Sequence, residues 1–299
     1  RFCAQSVSRQ VIDTDFKEVM EMEIRTLALK TPEGQPFTMW IYQHDQFTLF
    51  PDDRLWPLAL IFPGGGFAGY SEREVEAVAL KFIAKGYQAA VVKYNLTSDG
   101  PFYPTAATIG LAALSYVKRH AQELNADSDH VVVSGFSAGG HLVAVMTALG
   151  AQSEFLNNHG FEETKLVPFA QILSYPVIDL TMGFPTSQHE MMAVTTDESY
   201  WHAQELVTSQ TPPTFIWATR TDELVPVVNS LVYLAALGEH NVPFESHIYA
   251  AGVHGLAFGD LADSRYHHPE DVVPRVQNWF PMALGWLRTL YASKNSTEI

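Results

Sequence analysis

The chain has 299 residues, 47% of them hydrophobic, so it can bury a full core. Its net charge of -15 comes with no basic run, a field that repels phosphate backbones and anionic lipid surfaces and argues against nucleic acid and membranes as partners. Cys3 is the single cysteine, which excludes intrachain disulfides and a thiolate metal cage.

No apolar run reaches the length of a membrane span, and the first residues lack the apolar core of a signal peptide. The expected location is cytoplasmic; the start at Arg1 leaves a removed leader open. No internal repeat or low-complexity segment is visible. Residues 3–16 receive no assignment. Glu18 to Leu29 and Phe37 to Gln43 read as two strands around the turn Thr31-Pro32-Glu33-Gly34. From Leu58 strands and helices alternate. Strands are expected at Leu58 to Phe62, Gln88 to Tyr94, His130 to Gly135, Ala170 to Tyr175, Pro213 to Thr219 and Glu245 to Tyr249. Helices are expected at Arg73 to Lys85, Thr105 to Leu124, Ala138 to Leu149, Val225 to Gly238 and Pro274 to Tyr291. Such alternation predicts one α/β domain over 1–299, built on a mostly parallel sheet with helices on both faces. Reactive groups in such a sheet belong on loops beyond the carboxyl ends of the strands.

Gly135-Phe136-Ser137-Ala138-Gly139 reads G-x-S-x-G where a β-branched run ends and a helical pattern begins. By composition alone that pentapeptide arises in roughly one chain of this length in ten, so its position between strand and helix carries the argument. A sharp strand-to-helix turn holds a serine hydroxyl out of the sheet, and flanking glycines leave it room. Ser137 is thus the candidate nucleophile, and it needs a base and an acid to orient that base. Of twelve histidines, His254 stands just past the expected strand Glu245 to Tyr249, among small residues in Ala251-Gly252-Val253-His254-Gly255. His120, His130, His267 and His268 read as solvated. No histidine pair has ligand spacing with a carboxylate on one helix face, so no metal is expected. Two aspartates follow strands at suitable places, Asp222 and Asp179. Asp222 is favoured because its strand comes immediately before the histidine strand; either could instead cap a turn.

Phe62-Pro63-Gly64-Gly65-Gly66-Phe67 ends the third strand-like run, and its glycines leave backbone N–H groups unhindered to meet a substrate oxygen. Gly65 or Gly66 is the expected oxyanion donor, with the N–H of Ala138 as its partner. A phosphate-cradling role is weaker, since neither G-K-[ST] nor G-x-G-x-x-G is present there.

The order Gly65, Ser137, Asp222, His254 matches that of α/β-hydrolases. Together with Gly-Phe-Ser-Ala-Gly-Gly-His at 135–141, Ser174-Tyr175-Pro176-Val177-Ile178-Asp179 and Val253-His254-Gly255, the stretch from Leu58 to Leu290 resembles the small bacterial carboxylesterases related to acetyl xylan and feruloyl esterases. It resembles the hormone-sensitive-lipase-like esterases more distantly, with Pro63 in place of the histidine of their H-G-G-G. The resemblance implies an α/β-hydrolase fold with a small cap, no cofactor, and hydrolysis of short acyl esters, often on sugars. The expected partner is a small-molecule ester, and a homo-oligomer stays open. The irregular segment 181–210, with Phe184, Met191, Met192, Tyr200 and Trp201, would cap the pocket or simply pack on the sheet. Phe67, Tyr70, Phe102 and Tyr103 are candidates to line it, as is Trp201. A serine peptidase on the same fold and a non-catalytic binding protein are the rival functions.

Overall fold

The computed structural model describes residues 23–44 and 55–295. Cys3 and positions 18–22 of the expected first strand lie outside the described residues. Strands β1 (Glu23–Lys30) and β2 (Pro36–Gln43) form an antiparallel hairpin. The Gly34 N–H closes its turn on the Thr31 carbonyl at 2.9 Å. β2 then pairs antiparallel with β4 (Gln88–Lys93), which lies beside β3 (Trp56–Phe62). From β4 onward every neighbour is parallel, through β5 (Ala126–Phe136), β6 (Ala170–Ser174), β7 (Thr214–Thr219) and β8 (Phe244–Tyr249). The eight-stranded order is β1-β2-β4-β3-β5-β6-β7-β8.

Parallel neighbours require crossovers, and helices supply them. Helices α1 (Glu76–Ile83) and α7 (Trp279–Asn295) cover one face, where Val78, Phe82, Trp279 and Leu287 join Ile61, Val132 and Trp217 of the sheet. Helices α2 (Thr105–Arg119) and α3 (Ala138–Leu149) cover the other face with α6 (Val228–Glu239), packing Ile109, Val143 and Tyr233 on Leu60, Val133 and Ile216. The central strands are buried on both faces, which is why they read as continuous apolar runs rather than alternating ones. Two short helices, α4 (Ser153–Asn158) and α5 (Gln188–Val194), lie between β5 and β7. α4 is absent from the sequence expectation. No described helix is long and apolar enough to cross a membrane.

Element boundaries moved where side chains compete for backbone groups. Helix α6 begins at Val228 rather than Val225, because the Asp222 carboxylate takes the N–H groups of Leu224 and Val225 at 3.0 and 2.9 Å. Helix α2 stops at Arg119 for a different reason: residues 120–125 fold into turns closed by their own backbone, ending on Asn125 at φ +49°. The expected helix from Arg73 is a 3-10 turn, Glu72–Glu74, followed by α1.

Candidate active site

Ser137 sits between β5 and α3 at φ +52°, ψ -119°, a conformation that costs a side-chain-bearing residue about 1–3 kcal/mol. The surroundings enforce it. The Ser137 N–H donates to the Ser174 carbonyl at 3.0 Å, and its own carbonyl accepts from Val177 at 3.1 Å and Gly140 at 2.9 Å. A Cβ at Gly139 would strike the carbonyl oxygens of Phe62 and Pro63, and one at Gly135 would lie 2.8 Å from Val143. The spacing G-x-S-x-G is therefore a packing requirement: the turn lies flat against the end of β3 and against α3.

The Oγ of Ser137 is 2.7 Å from Nε2 of His254, and Nδ1 of His254 is 2.6 Å from Oδ2 of Asp222. The Asp222 side chain is 1% exposed and that of His254 14%. Asp222 is placed by the end of β7 and by the two amides its Oδ1 accepts. The loop after β8 carries His254 and is tied to the same strand end. Thr219 Oγ1 donates to the Gly252 carbonyl at 2.8 Å, and the Gly252 N–H donates to Thr221 Oγ1 at 3.0 Å. Residues 117 and 32 positions apart in the chain thus meet because β5, β7 and β8 end on one side of the sheet.

A cavity of about 880 Å³ opens on Ser137 and His254 and is lined also by Gly65, Gly66, Glu74 and Phe184. Gly65 and Gly66 adopt φ +137° and +65°. Among the described residues the amides of Gly65, Gly66 and Ala138 have no protein acceptor, whereas that of Gly64 is held by Glu74 at 2.6 Å. Ala138 is the first residue of α3, so its N–H is one of those a helix leaves unpaired. Charged groups reach the cavity wall at Arg73, Glu223, Arg265 and Glu270. Among the described residues no group of three or more His, Cys, Asp or Glu is arranged to hold a metal ion.

The other acid candidate, Asp179, lies elsewhere. Its Oδ2 takes Nδ1 of His202 and Nε2 of Gln204, both at 2.8 Å, and its Oδ1 takes the amide and hydroxyl of Thr181. Burial raises the Asp179 pKa, but Thr181, His202 and Gln204 outweigh it and hold the carboxyl below its ordinary value.

The aromatic expectations need correction. Phe67 is fully buried, packed edge-on to Phe102 at 5.1 Å and beneath Phe184 at 6.3 Å, so it supports the wall without facing the cavity. Phe102 and Tyr103 are equally buried. Tyr70 is half-buried with its hydroxyl donating to the Tyr94 carbonyl, and Trp201 donates Nε1 to the Thr195 carbonyl at 3.2 Å. Neither lines the cavity. Of the segment 181–210 only Phe184 does so; Met191, Val194, Ala203 and Val207 are part of the core. Large aromatics gain most by burial, and that term governs here.

Glu74 was not anticipated. It is 1% exposed, with both carboxylate oxygens bonded, and it reads in the sequence as one acidic residue at a helix start. The available signal was spacing: Glu74, Val78 and Phe82 recur every four residues, which puts a carboxylate in line with the apolar stripe that α1 buries.

The sequence pattern of the BD-FAE family matches residues 51–237, more than half of the chain. The chain belongs to the BD-FAE family. It is 29% identical over 273 residues to endo-1,4-beta-xylanase B of Butyrivibrio fibrisolvens, covering 84% of this chain and 42% of that protein. It is 27% identical over 230 residues to an acetylxylan esterase of Xylanibacter ruminicola, covering 73% and 44%. The chain therefore spans less than half the length of these two relatives. Among solved structures it resembles the carboxylesterase Cest-2923 of Lactobacillus plantarum WCFS1, with a TM-score of 0.86 and 34% identity over 90% of this chain and 98% of that one. Its fold is the α/β-hydrolase fold, and its kinship is with esterases that include acetylxylan esterases.

Proposed function

We propose that the protein is a cofactor-independent serine carboxylesterase acting on short-chain, chiefly acetyl, esters, with acetylated carbohydrates as the substrate class. The observation that carries this reading is the hydrogen-bonded sequence Ser137–His254–Asp222 at the floor of an open cavity. Ser137 Oγ attacks the ester carbonyl as His254 Nε2 takes its proton, and Asp222 holds the Nδ1–H and stabilises the imidazolium. The tetrahedral oxyanion is met by the amides of Ala138 and of Gly65 or Gly66. His254 then gives its proton to the departing alcohol, and water repeats the sequence on the acyl-enzyme.

Two observations support a short acyl group and a polar alcohol. Four of the lining residues are Arg73, Glu223, Arg265 and Glu270, so a long alkyl chain would lie against charge. A methylene gains about 0.8 kcal/mol only when it is buried against apolar surface. The acetylxylan esterase relative points the same way.

The test is labelling with a serine-reactive fluorophosphonate, followed by kcat/KM on p-nitrophenyl acetate, butyrate, octanoate and palmitate and on acetylated xylo-oligosaccharides. The expected outcome is one label at Ser137 and a rate that falls beyond two to four carbons. No labelling of folded protein would leave a binding role, and a maximum at octanoate or beyond would make it a lipase-like enzyme.

A further inference from the structure

Glu74 uses its two carboxylate oxygens on different parts of the site. Oε2 accepts the Gly64 N–H at 2.6 Å and Oε1 accepts the Tyr175 hydroxyl at 2.8 Å. Gly64 lies directly on the nucleophile turn, since a Cβ there would be 2.8 Å from Cβ of Ser137. The Tyr175 hydroxyl in turn accepts the N–H of Ala257 at 2.9 Å, three residues past His254, and the Tyr175 ring stands edge-on to the His254 imidazole with centroids 5.0 Å apart. One carboxylate thereby links the glycine segment after β3, the segment after β6 and the histidine loop. Burying it is costly: desolvation pushes the Glu74 pKa up, against the pull of Tyr175, Gly64, His254 and Arg73. A carboxylate kept at such a place, with both oxygens engaged, has a role beyond filling space.

We propose that Glu74 is a positioning residue for catalysis: it fixes Gly64 so that the Gly65 and Gly66 amides face the oxyanion formed on Ser137, and through Tyr175 it fixes the loop that presents His254. The inference rests on the serine-esterase reading. Because Glu74 acts on groups that meet the transition state, its loss lowers kcat and leaves KM nearly unchanged. Only a carboxylate can accept on both sides. An amide keeps one acceptor for Gly64 and turns its NH₂ toward Tyr175, so Glu74→Gln retains half of the arrangement.

The experiment measures kcat and KM on p-nitrophenyl acetate for the wild type, Glu74→Ala, Glu74→Gln and Tyr175→Phe. Each kcat is divided by the concentration of Ser137 that a fluorophosphonate labels at completion, so unfolded protein does not count. By comparison with the loss of an oxyanion donor, Glu74→Ala should lose about 10²-fold in kcat per labelled site, and Glu74→Gln and Tyr175→Phe about tenfold each. Affinity for a trifluoromethyl ketone, which forms a tetrahedral adduct with serine, should fall by the same factors. A merely structural residue would lower the labelled fraction and leave kcat per labelled site within twofold of wild type; that result overturns the inference. Where Glu74→Ala yields no folded protein, the other two variants decide by the same criterion. A wild type inert toward every ester overturns the esterase reading and this inference with it, whereas an active wild type with unaffected variants overturns this inference alone.

Discussion

Three Asp–His pairs occur among the described residues; the one between Asp127 and His130 lies at the start of β5, and the other two join a carboxylate placed after a β-strand to a ring Nδ1. Asp222 holds His254 at 2.6 Å and Asp179 holds His202 at 2.8 Å. Both aspartates are buried, and both accept backbone amides two residues onward. What separates the pairs is the other ring nitrogen. Nε2 of His254 meets the Ser137 hydroxyl in the cavity, whereas His202 is not among the cavity's lining residues and pins the segment between β6 and β7 to the body of the fold. In the proposed mechanism the same pair of side chains is an acid–base relay in one place, whereas in the other it is an anchor. The chemistry is decided by what stands beyond the imidazole.

The sharpest way to break that comparison is to remove the group that distinguishes the pairs. Ser137→Ala should lower kcat by about 10⁴-fold or more and leave the thermal midpoint nearly unchanged, since it deletes one hydroxyl oxygen and keeps the Cβ and the backbone of the turn. Near-wild-type turnover in this variant would take Ser137 out of the mechanism.

Next come the acids. Asp222→Asn should cost about 10⁴-fold in kcat, because an amide there favours the wrong imidazole tautomer, and Asp179→Asn should cost only a few-fold. Steady-state kinetics of the two variants side by side decide the matter, and the reverse ranking would assign the relay to the wrong pair.

The smaller effect is on stability. The Asp179 carboxylate receives the Thr181 amide and hydroxyl, His202 and Gln204, so Asp179→Asn should destabilise the fold by about 1–3 kcal/mol in urea unfolding. Its folded pKa lies below the ordinary 3.8, so the ionised form is favoured by folding. The stabilisation is full above that ordinary value and is lost as pH falls through the lowered folded value. The gap between wild type and variant should accordingly be constant near neutrality and shrink below about pH 4. A gap that widened on acidification would mean that the carboxylate is not the anchoring form.

Much of the fold was readable locally. β5, α3 and β7 fall within a few residues of their expected ranges, because β-branched runs and helical periods are properties of consecutive residues. Boundaries slipped where a side chain captured backbone amides, as Asp222 does ahead of α6. The aromatic assignments slipped for another reason: Phe67 and Trp201 have the composition of a pocket wall, but nothing adjacent to them in sequence says which side of that wall they occupy.

By itself the sequence determined the alternation of strands and helices, the strained serine turn and the glycine segment after β3. Each depends on neighbours within a few positions and on residues small enough for the backbone to take an unusual path. Only the tertiary structure decided that Asp222 rather than Asp179 meets His254, that Phe184 rather than Phe67 lines the cavity, and that Glu74 lies beneath the glycines. Those outcomes depend on which strand ends converge and on which side chains lose their water when the sheet and helices pack. That information lies in contacts between residues far apart in the chain; the strand order ahead of His254 and the spacing of Glu74 with Val78 and Phe82 point toward two of these outcomes without deciding them.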